Sequence, residues 1–236
     1  MRIKNIFFDL DGTLLPMDQD FFTNSYFRLL TAKLAPYGFA PKELIGGIWA
    51  GIRAMVKNDG SMTNEEAFWR EFTALFGELA AAARPHLEEF YQIDFQKAQI
   101  YCGKNPKAAE TVHALKEKGY RLVLATNPIF PSYATESRIR WAGLCPEDFE
   151  AYTTYENCCY CKPNPKYYAE LADKLGMASE ETLMVGNDAT EDVAAEKLGM
   201  RVFLLTDCLI NKEGIDIAKY PHGSFPELMA YIETLG

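Results

Sequence analysis

The sequence has no cluster of lysine and arginine. Its 24 Lys and Arg stand against 33 Asp and Glu, a formal net charge of −9. A nucleic-acid backbone needs a basic face to neutralise its phosphates, so nucleic acid is excluded as a partner. No apolar run approaches the roughly 20 residues of a membrane span, which excludes a membrane-spanning role. The start, MRIKNIFFDLDGT, reaches two acids by residue 11 and is unlike a secretory signal. Histidine is scarce: His86, His113 and His222 are isolated, and none is expected as a ligand. The six cysteines are scattered except for Cys158, Cys159 and Cys161. Cys158 and Cys161 form one C-x-x-C, but no second pair and no nearby histidine completes a four-ligand zinc site. They read as reduced thiols, which predicts a cytoplasmic protein. Their nearness to Lys162 leaves an oxidation-sensitive activity open.

What is present is ordinary globular composition, 48% hydrophobic and 24% charged over 236 residues. From about Gly103 onward one pattern repeats. The helix-like segment Asn105 to Lys118 precedes the apolar run YRLVLATN, with Gly119 between them. Asn164 to Lys174 leads to TLMVGND, and Glu191 to Lys197 leads to RVFLLTD. The string KLGM recurs at Lys174 to Met177 and at Lys197 to Met200, the same helix-to-strand turn used twice. Helix, glycine, continuous apolar strand and polar end together predict an α/β fold with a buried parallel sheet. The first strand, Ile3 to Phe8, ends likewise at Asp9. Every strand delivers polar residues at its C-terminal end, the edge where open α/β sheets bind ligands.

Residues 16–99 break the pattern. Helix-like segments follow one another at Asp18 to Leu34, Lys42 to Val56, Asn64 to Phe76 and Leu79 to Tyr91. This predicts a helical insert, with a closing helix at Phe225 to Leu235 capped by Ser224. Gly47 and Gly51 make a G-x-x-x-G expected to mark close helix packing, and most of the aromatics of the insert are expected in its core. Arg53 and Lys57, one helical turn apart, are expected on a solvated face.

Four motifs carry chemistry. Asp9 and Asp11 in Asp9-Leu10-Asp11-Gly12-Thr13 leave the first strand two residues apart and project to one side. Two carboxylates held close repel each other unless a cation or a shared proton relieves them. Thr126 and Asn127 close the second long strand, where a hydroxyl and exposed N–H groups suit a phosphoryl oxygen. Lys162 stands in Cys161-Lys162-Pro163-Asn164-Pro165, just before a helix, and points towards a strand-end cleft. Asp188 closes a further strand, and Asp192 follows four residues later.

The ordered quartet resembles the haloacid dehalogenase superfamily of aspartate-nucleophile phosphohydrolases, and the resemblance spans the whole chain. It implies a Rossmann-like, doubly wound core from residues 1–15 and 100–236, with an inserted α-helical cap at 16–99. It implies a phosphatase acting on a small phosphorylated metabolite through an aspartyl-phosphate, with Asp9 as nucleophile and Asp11 as the acid and base. It implies Mg²⁺ on the Asp9 carboxylate, the Asp11 backbone carbonyl and Asp188, which suits a hard ion that keeps its waters. Asp192 either ligates through water or orients Lys162. Thr126, Asn127 and Lys162 would hold the phosphate, Lys162 also neutralising Asp9, while Gly12 and Thr13 form the turn. Four carboxylates total −4, and Lys162 with Mg²⁺ returns +3, so a phosphate dianion needs the metal to approach. One departure is Asn187, which intervenes between Gly186 and Asp188 where the family places glycine directly before the acid. A phosphomutase or phosphotransferase would use the same Asp9 and Asp11. A haloacid dehalogenase has no need of Asp11. A non-catalytic binding module on this fold has no use for the retained acids and lysine.

Overall fold

The computed structural model of the protein describes residues 2–235. In chain order it runs β1 (Asn5–Phe8), α1 (Gln19–Leu34), α2 (Pro41–Val56), α3 (Asn64–Phe76), α4 (Glu78–Gln92), a 3₁₀ segment (Asp94–Tyr101) and α5 (Pro106–Glu117). It continues through β2 (Arg121–Leu124), α6 (Ser132–Trp141), β3 (Ala151–Tyr152), α7 (Pro165–Leu175), β4 (Thr182–Gly186), a 3₁₀ segment (Val193–Leu198), β5 (Arg201–Leu205), β6 (His222–Gly223) and α8 (Phe225–Glu233).

Local chemistry sets many of these boundaries. Asp18 caps α1 by accepting the Phe21 N–H at 2.8 Å. Thr63 and Glu66 form a capping box on α3, as Ser224 and Glu227 do on α8. Pro106 and Pro165 open α5 and α7, where the missing N–H costs nothing, behind the caps Asn105 and Asn164.

The strands form one parallel sheet in the order β3-β2-β1-β4-β5-β6. Phe7 lies opposite Val123 and Met184, and Phe8 opposite Leu124 and Val185. Because side chains alternate along a strand, Ile6 and Phe8 enter one core and Phe7 the other. Both faces are covered, which accounts for the unbroken apolar runs. The order reverses between β1 and β4, and there the carboxyl ends open a crevice.

The chain between β1 and β2 supplies the helical insert. In α2 a Cβ on Gly47 would lie 2.2 Å from Phe76, and one on Gly51 2.3 Å from Phe68. These glycines therefore let α3 approach closely. No helix of the described residues is long and apolar enough to cross a membrane.

Two elements depart from the sequence pattern. Residues 193–198 form a 3₁₀ segment and not an α-helix over Glu191 to Lys197. Helix α6 has no counterpart in the periodicity because its inward face carries Thr135, Ser137 and Arg138, all buried. The short edge strands β3 and β6, of two residues each, are too brief for any pattern to show.

Phe95, wholly buried, ties the insert to the core. Its ring stacks on Trp141 of α6 at 5.1 Å between centroids, and it meets Phe22, Tyr26 and Phe90 edge-on. Phe95→Ala is expected to destabilise the protein by roughly 3–5 kcal/mol, measured by urea unfolding; a loss below about 1 kcal/mol would show that these contacts do not couple the two parts.

Candidate active site

The crevice between the ends of β1 and β4 holds a cavity of 150 Å³. Asp9, Asp11, Thr126, Asn127, Asp188 and Asp192 all line it, delivered by the ends of three neighbouring strands. Lys162 lies behind this wall, wholly buried, and reaches it through two carboxylates. Its Nζ donates to Asp9 Oδ1 at 2.9 Å and to Asp192 Oδ1 at 2.6 Å. Asp192 Oδ2 in turn accepts the Asp188 N–H at 2.9 Å. Three of the four motifs, spread over more than 180 residues of sequence, thus meet in one hydrogen-bonded chain, and the fourth, Thr126 and Asn127, joins them at the cavity wall.

Two glycines permit this approach. Gly12 has φ of +84°, which favours glycine, and a Cβ there would lie 2.2 Å from Asn187 Nδ2. A Cβ on Gly186 would lie 2.0 Å from Asp192 Oδ2. Asn187, the departure from the family pattern, is buried and has a place in the turn. The Thr13 hydroxyl lies 3.0 Å from Asn187 Oδ1 and 3.2 Å from Asp9 Oδ2, and Asn187 Nδ2 donates to the Cys208 carbonyl at 2.7 Å. Asn187 therefore braces Thr13 beside Asp9.

Two further groups enter the site that the sequence pattern does not announce. Arg138 of α6, fully buried, donates to Asp11 Oδ2 and stands over the Phe130 ring at 4.4 Å. Its signal in the sequence is position alone: it lies four residues after Ala134 and three before Trp141, on the inward stripe of α6. Glu191 lines the cavity and accepts the Asn127 side-chain amide at 3.0 and 3.1 Å. The Asp188 carboxylate closes a turn by accepting the N–H groups of Thr190 and Glu191, at 2.7 and 2.9 Å.

The electrostatics follow from burial. Removal from water pushes the Asp9 carboxyl up to about 7; Lys162 opposes the rise, and Asp192 adds to it. Burial also raises Asp11, against Arg138 and Lys162. Glu191 is pushed up to about 7, again chiefly by burial. Burial alone would lower Lys162, but the charges of Asp192 and Asp9 outweigh it and hold the ammonium well above its ordinary range.

Five acids (Asp9, Asp11, Asp188, Glu191, Asp192) face two cationic side chains (Lys162, Arg138), a formal excess of three negative charges. Asp11 Oδ1 and Asn127 Oδ1 are buried acceptors without a hydrogen-bond partner. Excess charge and orphaned oxygens fit a hard divalent cation. Among the described residues no three His, Cys, Asp or Glu side chains form a metal-ligand group.

The thiols stand apart from this chemistry. All six cysteines are free, Cys158 and Cys161 are buried, and burial pushes the Cys158 thiol up to about 12. Such a thiol is a poor nucleophile, so the geometry offers no basis for an oxidation-sensitive activity. Arg53 and Lys57 are exposed and line neither this cavity nor its neighbour.

The model of the haloacid dehalogenase-like hydrolases matches residues 3–199. The chain belongs to that family. This hydrolase is 30% identical over 209 residues to the phosphoglycolate phosphatase of Vibrio vulnificus, covering 87% of this chain and 84% of that protein. It is 25% identical to the glyceraldehyde 3-phosphate phosphatase of Methanothermobacter thermautotrophicus, covering 91% and 94%. Among solved structures, the 2-haloacid dehalogenase of Pseudomonas syringae superposes with a TM-score of 0.65 at 19% identity, over 99% and 100% of the two chains. That likeness shows the fold.

A carboxyl held near 7 in the folded hydrolase and near 3.8 unfolded keeps its proton in the folded state across that interval. Raising the pH through it removes stability. The melting temperature of the metal-free protein is expected to fall between pH 5 and pH 8, and to fall less in Asp9→Asn. Parallel pH profiles for the two proteins would show that Asp9 does not carry the effect.

Proposed function

We propose that this hydrolase is a Mg²⁺-dependent phosphatase that cleaves a small phosphate monoester through an aspartyl-phosphate on Asp9. One observation carries the reading. Asp9, whose Oδ1 is held by a buried ammonium, faces the same cavity as Asp11, whose Oδ1 is unpartnered. A nucleophile and an unpartnered carboxyl oxygen thus stand two residues apart in the chain and face one cavity.

Lys162 fixes the Asp9 carboxylate and favours its ionised, nucleophilic form. Asp11 gives a proton to the departing alkoxide and later takes one from the attacking water. Burial favours its protonated form and Arg138 its carboxylate, so the side chain is poised between the two duties. Thr126 and the Asn127 backbone lie at the cavity wall, where they would bind phosphoryl oxygens. Asp9, the Asp11 carbonyl and Asp188 would hold Mg²⁺, with Asp192 oriented towards Lys162 in preference to the metal. When bound, the cation neutralises the acids and polarises the phosphoryl group.

We assign residues 1–15 and 100–236 to the catalytic core and 16–99 to a cap that covers the cavity and excludes water. Phe22 and Thr23 of α1 line the cavity, which supports that role. The free thiols support a reducing, cytoplasmic setting.

Asp9→Asn is expected to lower hydrolysis of p-nitrophenyl phosphate by on the order of 10³ or more, and EDTA to abolish it until Mg²⁺ is restored. Phosphate release that survives both treatments would sink the mechanism.

A further inference from the structure

A second cavity, 220 Å³ in volume, lies between the helical insert and the loops that follow β2 and β3. That is the liquid volume of about seven waters, enough for a small organic group. Ile129 and Phe130 line both this space and the catalytic cavity, so the two abut across a boundary one side chain thick. Both residues follow directly on Thr126-Asn127-Pro128.

The walls are aromatic. Tyr26 of α1, Trp69 of α3, Tyr91 of α4, Phe130 and Tyr155 all line it. The Tyr26 and Tyr91 hydroxyls lie 2.7 Å apart, and burial keeps both phenols protonated. The cavity therefore presents ring faces, the paired hydroxyls and the unpartnered indole N–H of Trp69, and no phenolate.

Its formal charges are all negative: Glu65, Glu88 and Glu156. No lysine, arginine or histidine lines it among the described residues. Arg84 stands outside, 2.6 Å from Glu65, 3.7 Å from Glu88 and over the Trp69 ring at 5.0 Å, and the single guanidinium leaves a formal excess of two negative charges. Ring faces attract cations and repel anions, most strongly where water is excluded. A carboxylate-bearing group would meet Glu65, Glu88 and Glu156, with Arg84, paired to the first two, as the one cation beside them.

We propose that this cavity receives the alcohol part of the substrate and that this part carries an alkylammonium group, so that the substrate is a phosphorylated organic cation. The inference rests on the phosphatase reading of the adjoining site and deepens it. It also separates this enzyme from the relative named for phosphoglycolate, whose leaving group bears a carboxylate.

The test compares phosphocholine with 2-phosphoglycolate as substrates, and measures choline binding by calorimetry in the absence of phosphate. The expected result is a kcat/KM at least tenfold higher for phosphocholine, choline binding without matching binding of glycolate, and loss of that preference in Trp69→Leu and Glu88→Gln. Choline binding to the unaltered enzyme reads the cavity even if a variant fails to fold. Hydrolysis of p-nitrophenyl phosphate with no preference for the cationic ester, or no choline binding, overturns the proposal and leaves the phosphatase reading intact. Choline binding that Trp69→Leu removes, with no phosphate ester hydrolysed, supports the cation cavity and overturns the phosphatase reading.

Discussion

A single ammonium group organises the strand-end cavity of this hydrolase. Lys162 has no contact with water and lies between Asp9 and Asp192. A buried charge without partners costs several kcal/mol, so the lysine demands both carboxylates, and each carboxylate belongs to a different part of the chain. Asp9 ends β1, Asp192 follows β4, and Lys162 precedes α7. The pairing is therefore a constraint on how the two halves of the sheet close, as well as a feature of the chemistry. Gly186 lacks a side chain because Asp192 occupies the space where one would be.

The same arrangement shows how opposed charges can be kept in one small space. Burial drives Asp9, Asp11 and Glu191 towards their neutral forms, while Lys162 and Arg138 draw the first two back. The acids still outnumber the cations, which leaves a site suited to a further positive charge. Arg138 reaches Asp11 from α6 across the Phe130 ring, and Phe130 also bounds the neighbouring aromatic cavity. One aromatic side chain thus stands between the guanidinium that holds Asp11 and the second cavity.

Much of the core was legible in the sequence because its signals are local. Proline and asparagine at the starts of α5 and α7, and a continuous apolar strand with a polar end, need only neighbouring residues to act. The acids at Asp9, Asp11 and Asp188 were legible for the same reason: each directly follows such a strand. Helix α6 was not, since its buried face is polar and pays for burial through Arg138 and Asp11, residues 127 positions apart. Glu191 was overlooked as well, because nothing local distinguishes its carboxylate from the solvated ones beside it.

The sequence by itself determined the alternation of helix and strand, the helical insert and the identity of the motif residues, because periodicity, caps and strand-end chemistry act over a few positions. The tertiary structure alone decided the strand order, with its reversal between β1 and β4, and hence where the motifs converge. It alone gave Asp11 a buried arginine and set an aromatic, acidic cavity against the one at the strand ends. These depend on which distant side chains share a volume from which water is excluded, and burial of that kind, which sets both charge state and pairing, has no period along a chain.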